Sequence, residues 1–218
     1  MNIYGISGLA GSGKDSVADG LAGIGFQKVA LADPMKRAAM DWFGWEPEIL
    51  WGPSEKRSIE DPRAPGLCAR KVLQLMGTEL GRSCYQDIWV DYAMRIAKEL
   101  LEPSAWFGFP GYDRERGILT KKEEYLAGDR TGVVITDIRF KNEILAIKER
   151  GGKVLRIKRP GYEKPKWDHP SETEQLQVPD SDFDYVFHNN GTLEDIPAKV
   201  NQMITTLANQ KYDELQHI

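Results

Sequence analysis

The run Gly8-Leu9-Ala10-Gly11-Ser12-Gly13-Lys14 places three glycines, a hydroxyl and a lysine within seven residues. It fits GxxxxGK, the spacing of a loop that cradles phosphate. Glycines let backbone N–H groups turn inward and approach phosphate oxygens with no Cβ in the way. The apolar run Asn2–Ile6 precedes the loop, and Val17, Ala18, Leu21 and Ala22 follow it at helical spacing. Strand, loop and helix in that order bring a helix N-terminus, with its partial positive charge, to the same place. Lys14 then reaches the β- and γ-phosphates of a nucleotide. One letter departs from the usual pattern. Asp15 stands where Ser or Thr ordinarily contacts Mg²⁺, and Ser16 comes one residue later. A glycine-rich turn before an ordinary helix is the plain alternative, and the strand–loop–helix context weighs against it.

A second acidic position belongs with the loop. Gly132–Thr136 is a β-branched apolar run, read as a buried central strand, and it ends at Asp137. A carboxylate there can hold Mg²⁺ directly or through water; it can also be a simple turn former. Ile138 follows where many P-loop ATPases carry a water-activating glutamate, which favours transfer to an acceptor over hydrolysis. Transfer between two phosphorylated molecules gathers four or more negative charges at one point. Lys36, Arg37, Arg70, Arg82, Arg139 and Arg159 are the candidate cations, each of which, taken singly, reads more often as a surface charge. Gln74 and Glu79 lie among apolar residues and could read a base by hydrogen bonds, or sit exposed at a helix end. Trp42, Trp45 and Trp51 read as core or loop packing, with stacking of one of them on a base as the alternative.

Composition limits the alternatives. A chain of 218 residues suits one domain with a full core, or a core with an appended lid. A net charge of −4 gives no basic footprint for duplex nucleic acid. No apolar run approaches membrane-spanning length, and the chain enters its first strand with no leader pattern. Cys68 and Cys84 read as free, reduced thiols, and His169, His188 and His217 are too scattered to suggest zinc.

The elements that must position these groups follow from periodicity. Phe26–Leu31 reads as a second strand. Asp33-Pro34 opens a helix with a capping residue and a proline in its first turn, and Gly44 stops it. Residues 46–66 read as loop, then helices are expected around Arg70–Thr78 and from about Tyr85 to Leu101. Residues 104–130 read as a hairpin or a mobile excursion. Further on, Lys141–Arg150 reads as helix, Val154–Ile157 and Asp184–Phe187 as strands, and Val200, Met203, Ile204 and Leu207 mark a last helix. Strands alternating with helices predict an α/β, three-layer P-loop NTPase fold: a five-stranded parallel sheet with helices on both faces and a lid. Ligands of such sheets bind beyond the carboxyl ends of the strands. The phosphate loop, Asp33–Lys36, Asp137–Arg139 and Asn189-Asn190-Gly191 all fall there.

Taken in order, these blocks resemble the deoxynucleoside monophosphate kinases of tailed bacteriophages, within the P-loop nucleoside monophosphate kinase fold. The matching pieces are Ser7-Gly8 with Gly11-Ser12-Gly13-Lys14-Asp15-Ser16, Ala32-Asp33-Pro34-Met35-Lys36, and Arg70 with Leu73-Gln74 and Gly77-Thr78-Glu79-Leu80-Gly81-Arg82. Thr136–Glu143, Arg159-Pro160-Gly161 and His169–Glu174 complete them. The resemblance implies transfer of the ATP γ-phosphoryl group to a deoxynucleoside 5′-monophosphate (dNMP), yielding the diphosphate and ADP. It implies a donor site of Gly8, Gly11, Ser12, Gly13, Lys14, Asp15, Ser16, Asn190 and Gly191, the last two near the adenine. Mg²⁺ is expected near Asp15 or Ser16 and Asp137. Asp33, Lys36, Arg70, Gln74, Glu79, Arg82 and Arg139 are expected to hold the acceptor, and Lys14, Asp137, Arg139 and Arg159 to carry the chemistry. One kinase domain over residues 1–218 is expected, with an acceptor-binding region at about 33–102, an insertion at about 104–131 and a lid at about 159–182. The partner is a small-molecule nucleotide, neither nucleic acid nor membrane, with a homodimer allowed. The location is cytoplasmic, the host's cytoplasm if phage-encoded. A kinase of another phosphorylated metabolite, such as phosphomevalonate or dephospho-coenzyme A, and a non-catalytic nucleotide-binding module stay open beside this reading.

Overall fold

A computed structural model describes residues 2–101, 112–113, 118–119, 131–164 and 169–216. Strand β1 (Ile3–Ser7) leads through the glycine-rich loop to α1 (Lys14–Ala22), and β2 (Phe26–Ala30) follows. Then come α2 (Asp33–Phe43), α3 (Pro47–Leu50), α4 (Ala69–Gln74), a π-helical stretch Leu75–Gly81, α5 (Arg82–Cys84) and α6 (Ile88–Leu101). Strands β3 (Tyr112–Asp113) and β4 (Ile118–Leu119) pair antiparallel. The chain continues with β5 (Gly132–Ile138), α7 (Lys141–Glu149), β6 (Lys153–Lys158), α8 (Pro170–Thr173), β7 (Tyr185–His188) and α9 (Ile196–Gln216). Two compact units result: Met1–Val29 with Arg130–Ile218, and Ala30–Asp129.

The first unit is built on a five-stranded sheet in the order β2-β5-β1-β6-β7. Strand β1 runs parallel to both its neighbours, β5 and β6, and β6 runs parallel to β7. The expected α/β architecture is therefore present. On one face α1 and α9 pack Val17, Leu21, Val200 and Met203 against Ile6, Val134, Leu155 and Phe187. On the other face α7 approaches so closely that a Cβ on Gly5 would lie 2.9 Å from Ile147 and 2.4 Å from Ile138. Burying both faces explains why the central strands β1 and β5 read as nearly continuous apolar runs. One irregularity matters for the site. Gly5 pairs with Ile135 but Ser7 pairs with Ile138, so Thr136 and Asp137 together face Ile6 across a bulge. Asp137 takes the left-handed conformation, φ 68°, which aspartate tolerates better than most residues.

The second unit packs Met35, Ala39, Trp45, Leu50, Trp51, Val72 and Met76 into its own core. Three sequence expectations change here. Residues 46–66 contain α3 and a 3₁₀ turn, Ser54–Ser58. The helix expected to end near Thr78 runs on as a π-helix to Gly81, and the next begins at Ile88 because Tyr85 is extended. Trp89 accounts for the π-helical stretch: its indole N–H donates to the Gly77 carbonyl at 2.8 Å, and its ring fills the space where a Cβ on Gly81 would stand. Trp45 and Trp51 are buried as expected, whereas Trp42 is 64% exposed. Apart from β3, β4 and Thr131, the expected insertion lies outside the described residues. Among the described residues, no helix is long and apolar enough to cross a membrane.

Candidate active site

The phosphate loop begins at the carboxyl end of β1. Gly11 and Gly13 both have left-handed backbones, φ 85° and 87°, which a side chain would strain. Gly8 is needed for space, since a Cβ there would lie 2.6 Å from Ser12 Oγ and 2.9 Å from the Ile157 carbonyl. The Ser12 N–H donates to the Leu9 carbonyl at 3.1 Å, and the Gly13 carbonyl accepts from Val17 N–H at 3.1 Å. Ser12 is buried, and its hydroxyl has no hydrogen-bond partner among the described residues. A buried hydroxyl left unsatisfied inside a loop of this kind suits an anionic ligand that would accept its hydrogen bond. Lys14 opens α1, whose first amides have no partner within the helix.

The donor set suits Mg²⁺. Ser16 and Asp137 are half-buried and Asp15 is exposed; all three offer hard oxygen. Among the described residues, no three His, Cys, Asp or Glu side chains converge as a metal cage. Mg²⁺ is ordinarily held by one or two protein oxygens plus phosphate and water.

Beside the loop opens a cavity of about 410 Å³ lined by Gly8, Leu9, Lys158, Arg159, Tyr162 and Asn190, among others. Arg159 donates to the Gly11 carbonyl at 3.3 Å and stacks on the Tyr162 ring, 5.0 Å from its centroid. Tyr162 itself covers Gly11, 2.4 Å from where a Cβ would be. The Asn190 side chain accepts from Lys199, and Gly191 abuts Asp195.

Arg139 sits just past β5, inside a ring of carboxylates. Its guanidinium donates to Glu172, whose side chain is buried. Glu143 accepts the backbone N–H groups of Arg139 and Phe140 at 2.9 and 3.1 Å, fixing the start of α7. Burial disfavours the Arg139 charge, but Glu172, Asp137 and Glu143 outweigh it and raise its pKa.

In the second unit, Asp33 and Lys36 come together. Asp33 accepts the Trp51 indole N–H at 2.9 Å and the Ala30 N–H at 3.3 Å. The Lys36 ammonium lies 4.0 Å from Asp33 and 5.7 Å from the Trp51 ring centroid, and the residue is only 5% exposed. The other candidates follow along the same unit. Arg70 ties down the 3₁₀ turn through Ser54 and Ser58, and Arg82 donates to the Gln86 carbonyl at 3.2 Å. Gln74 ends α4 half-buried, and Glu79 is exposed on the π-helical stretch. Arg37 donates to the Tyr92 hydroxyl.

No protein-family model matches the chain. A protein of Acanthamoeba polyphaga mimivirus named "Putative deoxynucleotide monophosphate kinase" is 33% identical over 201 residues, spanning 92% of this chain and 94% of that one. The chain belongs to that kinase family. Two solved structures align over nearly its whole length. One is dephospho-CoA kinase from Campylobacter jejuni, with 15% identity, 97% of this chain and 100% of that chain covered, and a TM-score of 0.43. The other is a Thermus thermophilus protein, with 17% identity, coverage of 94% and 97%, and a TM-score of 0.43.

Sequence reasoning left several residues of this kinase unassigned. Glu172 and Asn189 lay inside noted blocks, yet an acid in a polar loop and an asparagine after a strand carry no periodic signal of burial. Tyr162 follows Gly161 in what reads as loop. Glu143 did carry a signal, since a glutamate at the third position of a helix commonly reaches back to the amides before it.

Proposed function

We propose that this kinase transfers the γ-phosphoryl group of ATP to a dNMP, releasing ADP and the deoxynucleoside diphosphate. The observation that carries the donor half is the phosphate loop, with two left-handed glycines, a buried unsatisfied Ser12 hydroxyl and Lys14 at the start of α1. The choice of a dNMP as acceptor rests on the name of the 33% identical viral relative.

In this reading the bond between the γ-phosphorus and the β–γ bridging oxygen breaks, and an acceptor phosphate oxygen bonds to that phosphorus. The transition state asks for position and charge neutralisation rather than a covalent nucleophile. Loop amides and the Ser12 hydroxyl hold the donor phosphates. Lys14 neutralises charge that builds on the bridging oxygen. Arg159, beside the Gly11 carbonyl at the phosphate loop, neutralises charge on the transferring group. Mg²⁺, held by Asp137 with Ser16 or Asp15, would supply Lewis-acid neutralisation of the β- and γ-oxygens. Arg139, Lys36 and Arg82 bind the acceptor phosphate or the transferring group, and Asp33, Arg70, Gln74 and Glu79 contribute to acceptor recognition.

The test is a panel of phosphoryl acceptors with ATP and Mg²⁺, read by chromatographic separation of nucleotides. Stoichiometric ADP and diphosphate from at least one dNMP is the expected result. Turnover of dephospho-coenzyme A or phosphomevalonate, with none of any dNMP, would overturn it.

A further inference from the structure

We infer that Asn189 is a positioning residue for the donor's phosphates, acting through the peptide between Ser12 and Gly13. This rests on the donor half of the function proposed above and is independent of the acceptor.

Asn189 follows β7 directly. Its backbone N–H donates to the Lys158 carbonyl at 2.7 Å, which anchors it to the end of β6. Its side chain is 8% exposed, and Nδ2 donates to the Ser12 carbonyl at 2.9 Å. That partner fixes the amide's orientation, because the side-chain oxygen turned toward a carbonyl would be repelled.

The Ser12–Gly13 peptide is trans, so its C=O and N–H point in opposite directions. Holding the Ser12 oxygen toward Asn189 therefore aims the Gly13 N–H away from it. Among the described residues the Gly13 N–H meets no acceptor. It is a fixed donor awaiting an anion.

Gly13 makes this control necessary. A glycine adopts either sign of φ readily, so the peptide before it can rotate at low cost. Rotated, it would present a carbonyl oxygen to the phosphates instead of an N–H. Asn189 selects the productive orientation. The fit is mutual, since a Cβ on Gly13 would stand 2.1 Å from Asn189 Nδ2. The residue that lets the loop turn and the residue that fixes its direction lie 176 positions apart by their sequence numbers.

Titration calorimetry of Asn189→Ala and the near-isosteric, uncharged Asn189→Leu with ADP, pyrophosphate and adenosine tests this without any acceptor. One lost hydrogen bond that orients a donor to a charged group corresponds to a factor of about ten or more. ADP and pyrophosphate should therefore bind ~10-fold more weakly in both variants, with adenosine unchanged. ADP and pyrophosphate affinities within twofold of wild type would overturn the inference, as would an equal loss for adenosine. Should the alanine variant fail to fold, the leucine variant decides alone, because it keeps the branched shape, removes the donor and adds no charge beside the phosphates. Absence of dNMP turnover would leave these titrations unaffected, so the two readings fail separately.

Discussion

Arg139 and Glu172 form an ion pair that joins the end of β5 to α8. Glu172 is 3% exposed, and its second carboxylate oxygen has no partner among the described residues. A buried carboxylate is costly unless paired, so Arg139 is what makes Glu172 tolerable there. In return, Glu172 restricts where the guanidinium can point. Glu143 fixes the backbone of Arg139 from the other side.

Glu172 should accordingly matter to activity through Arg139. Arg139→Lys loses the planar fork that grips a phosphate, and kcat/KM for the dNMP should fall by about tenfold or more. Glu172→Gln should fall by a similar factor. The double variant should be no worse than Arg139→Lys alone, because both changes remove one arrangement. Steady-state kinetics on the four proteins provides the check, and strictly additive losses would refute the coupling.

Lys14→Ala should lose a hundredfold or more in turnover, the scale on which removal of one electrostatic stabiliser acts. The fold should persist, since Lys14 opens a helix at the surface end of the sheet and takes no part in the core. Circular dichroism and kcat on the purified variant decide this. Near wild-type turnover in a folded protein would remove Lys14 from the mechanism.

Activity should require Mg²⁺ and vanish with a chelator. Asp137→Asn is the informative variant, because asparagine also tolerates the left-handed backbone at φ 68°. Turnover should drop and the Mg²⁺ concentration for half-maximal rate should rise. Asp15→Asn separates the two loop candidates. Unchanged metal dependence there would leave Ser16 as the loop ligand.

The legible parts of this chain were those with a repeating or spaced signal. Asn2–Ile6, the glycine spacing and the Val17, Ala18, Leu21 stripe specify β1, the loop and α1 because each residue is read against its neighbours. The sheet's parallel character followed from β-branched runs alternating with helical stripes. What escaped depended on residues far apart in the chain. Trp89 shapes the π-helical stretch around Gly77 and Gly81 from the following helix, and local propensity says nothing of it. Trp42 falls three residues after Ala39 and seven after Met35, on the same helical stripe, and is nevertheless 64% exposed at the last turn of α2, so periodicity alone assigned it to the core. Asn189 and Glu172 became visible only when the sheet brought the phosphate loop to β7, and Arg139 to α8.

Acid should find a specific weak point in the second unit. Asp61 accepts from the Arg63 side chain and backbone and from the Trp45 indole at 2.6–2.9 Å. These hydrogen bonds, the Arg63 side chain's first, hold its carboxyl well below the usual carboxylate range despite its burial. A native pKa below the unfolded value of about 3.9 means the stabilisation is complete above that pH. It is lost as pH falls toward the native pKa. Asp61→Asn should thus be less stable than wild type at neutral pH, with the two urea midpoints converging as pH drops below about 4. A gap that stays constant from pH 7 to 3 would show that the Asp61 charge contributes nothing.

The segment expected as a lid, residues 159–182, divides into two parts of different character. Arg159 and Tyr162 are exposed and lean on the phosphate loop through Gly11. Residues 169–183 are instead packed down. Glu172, Gln175, Val178 and Phe183 are buried. Arg156 donates to Asp180 at 2.7 Å and to the Gln175 carbonyl at 2.8 Å, and its guanidinium lies 4.0 Å from the Phe183 ring centroid. Lys158 also pairs with Asp180. Releasing this half would strip several buried contacts at once, so ligand-dependent closure is expected at the Arg159 end. His169 contributes its backbone carbonyl, which accepts the Glu172 and Thr173 N–H groups at 2.8 and 3.0 Å. His169→Gln should therefore leave most activity intact. Hydrogen exchange with and without a bisubstrate inhibitor should show new protection at residues 159–164, with residues 170–178 already protected before binding. Rapid exchange over 170–178 in the free protein, quenched by the inhibitor, would mean that the whole segment closes as one lid.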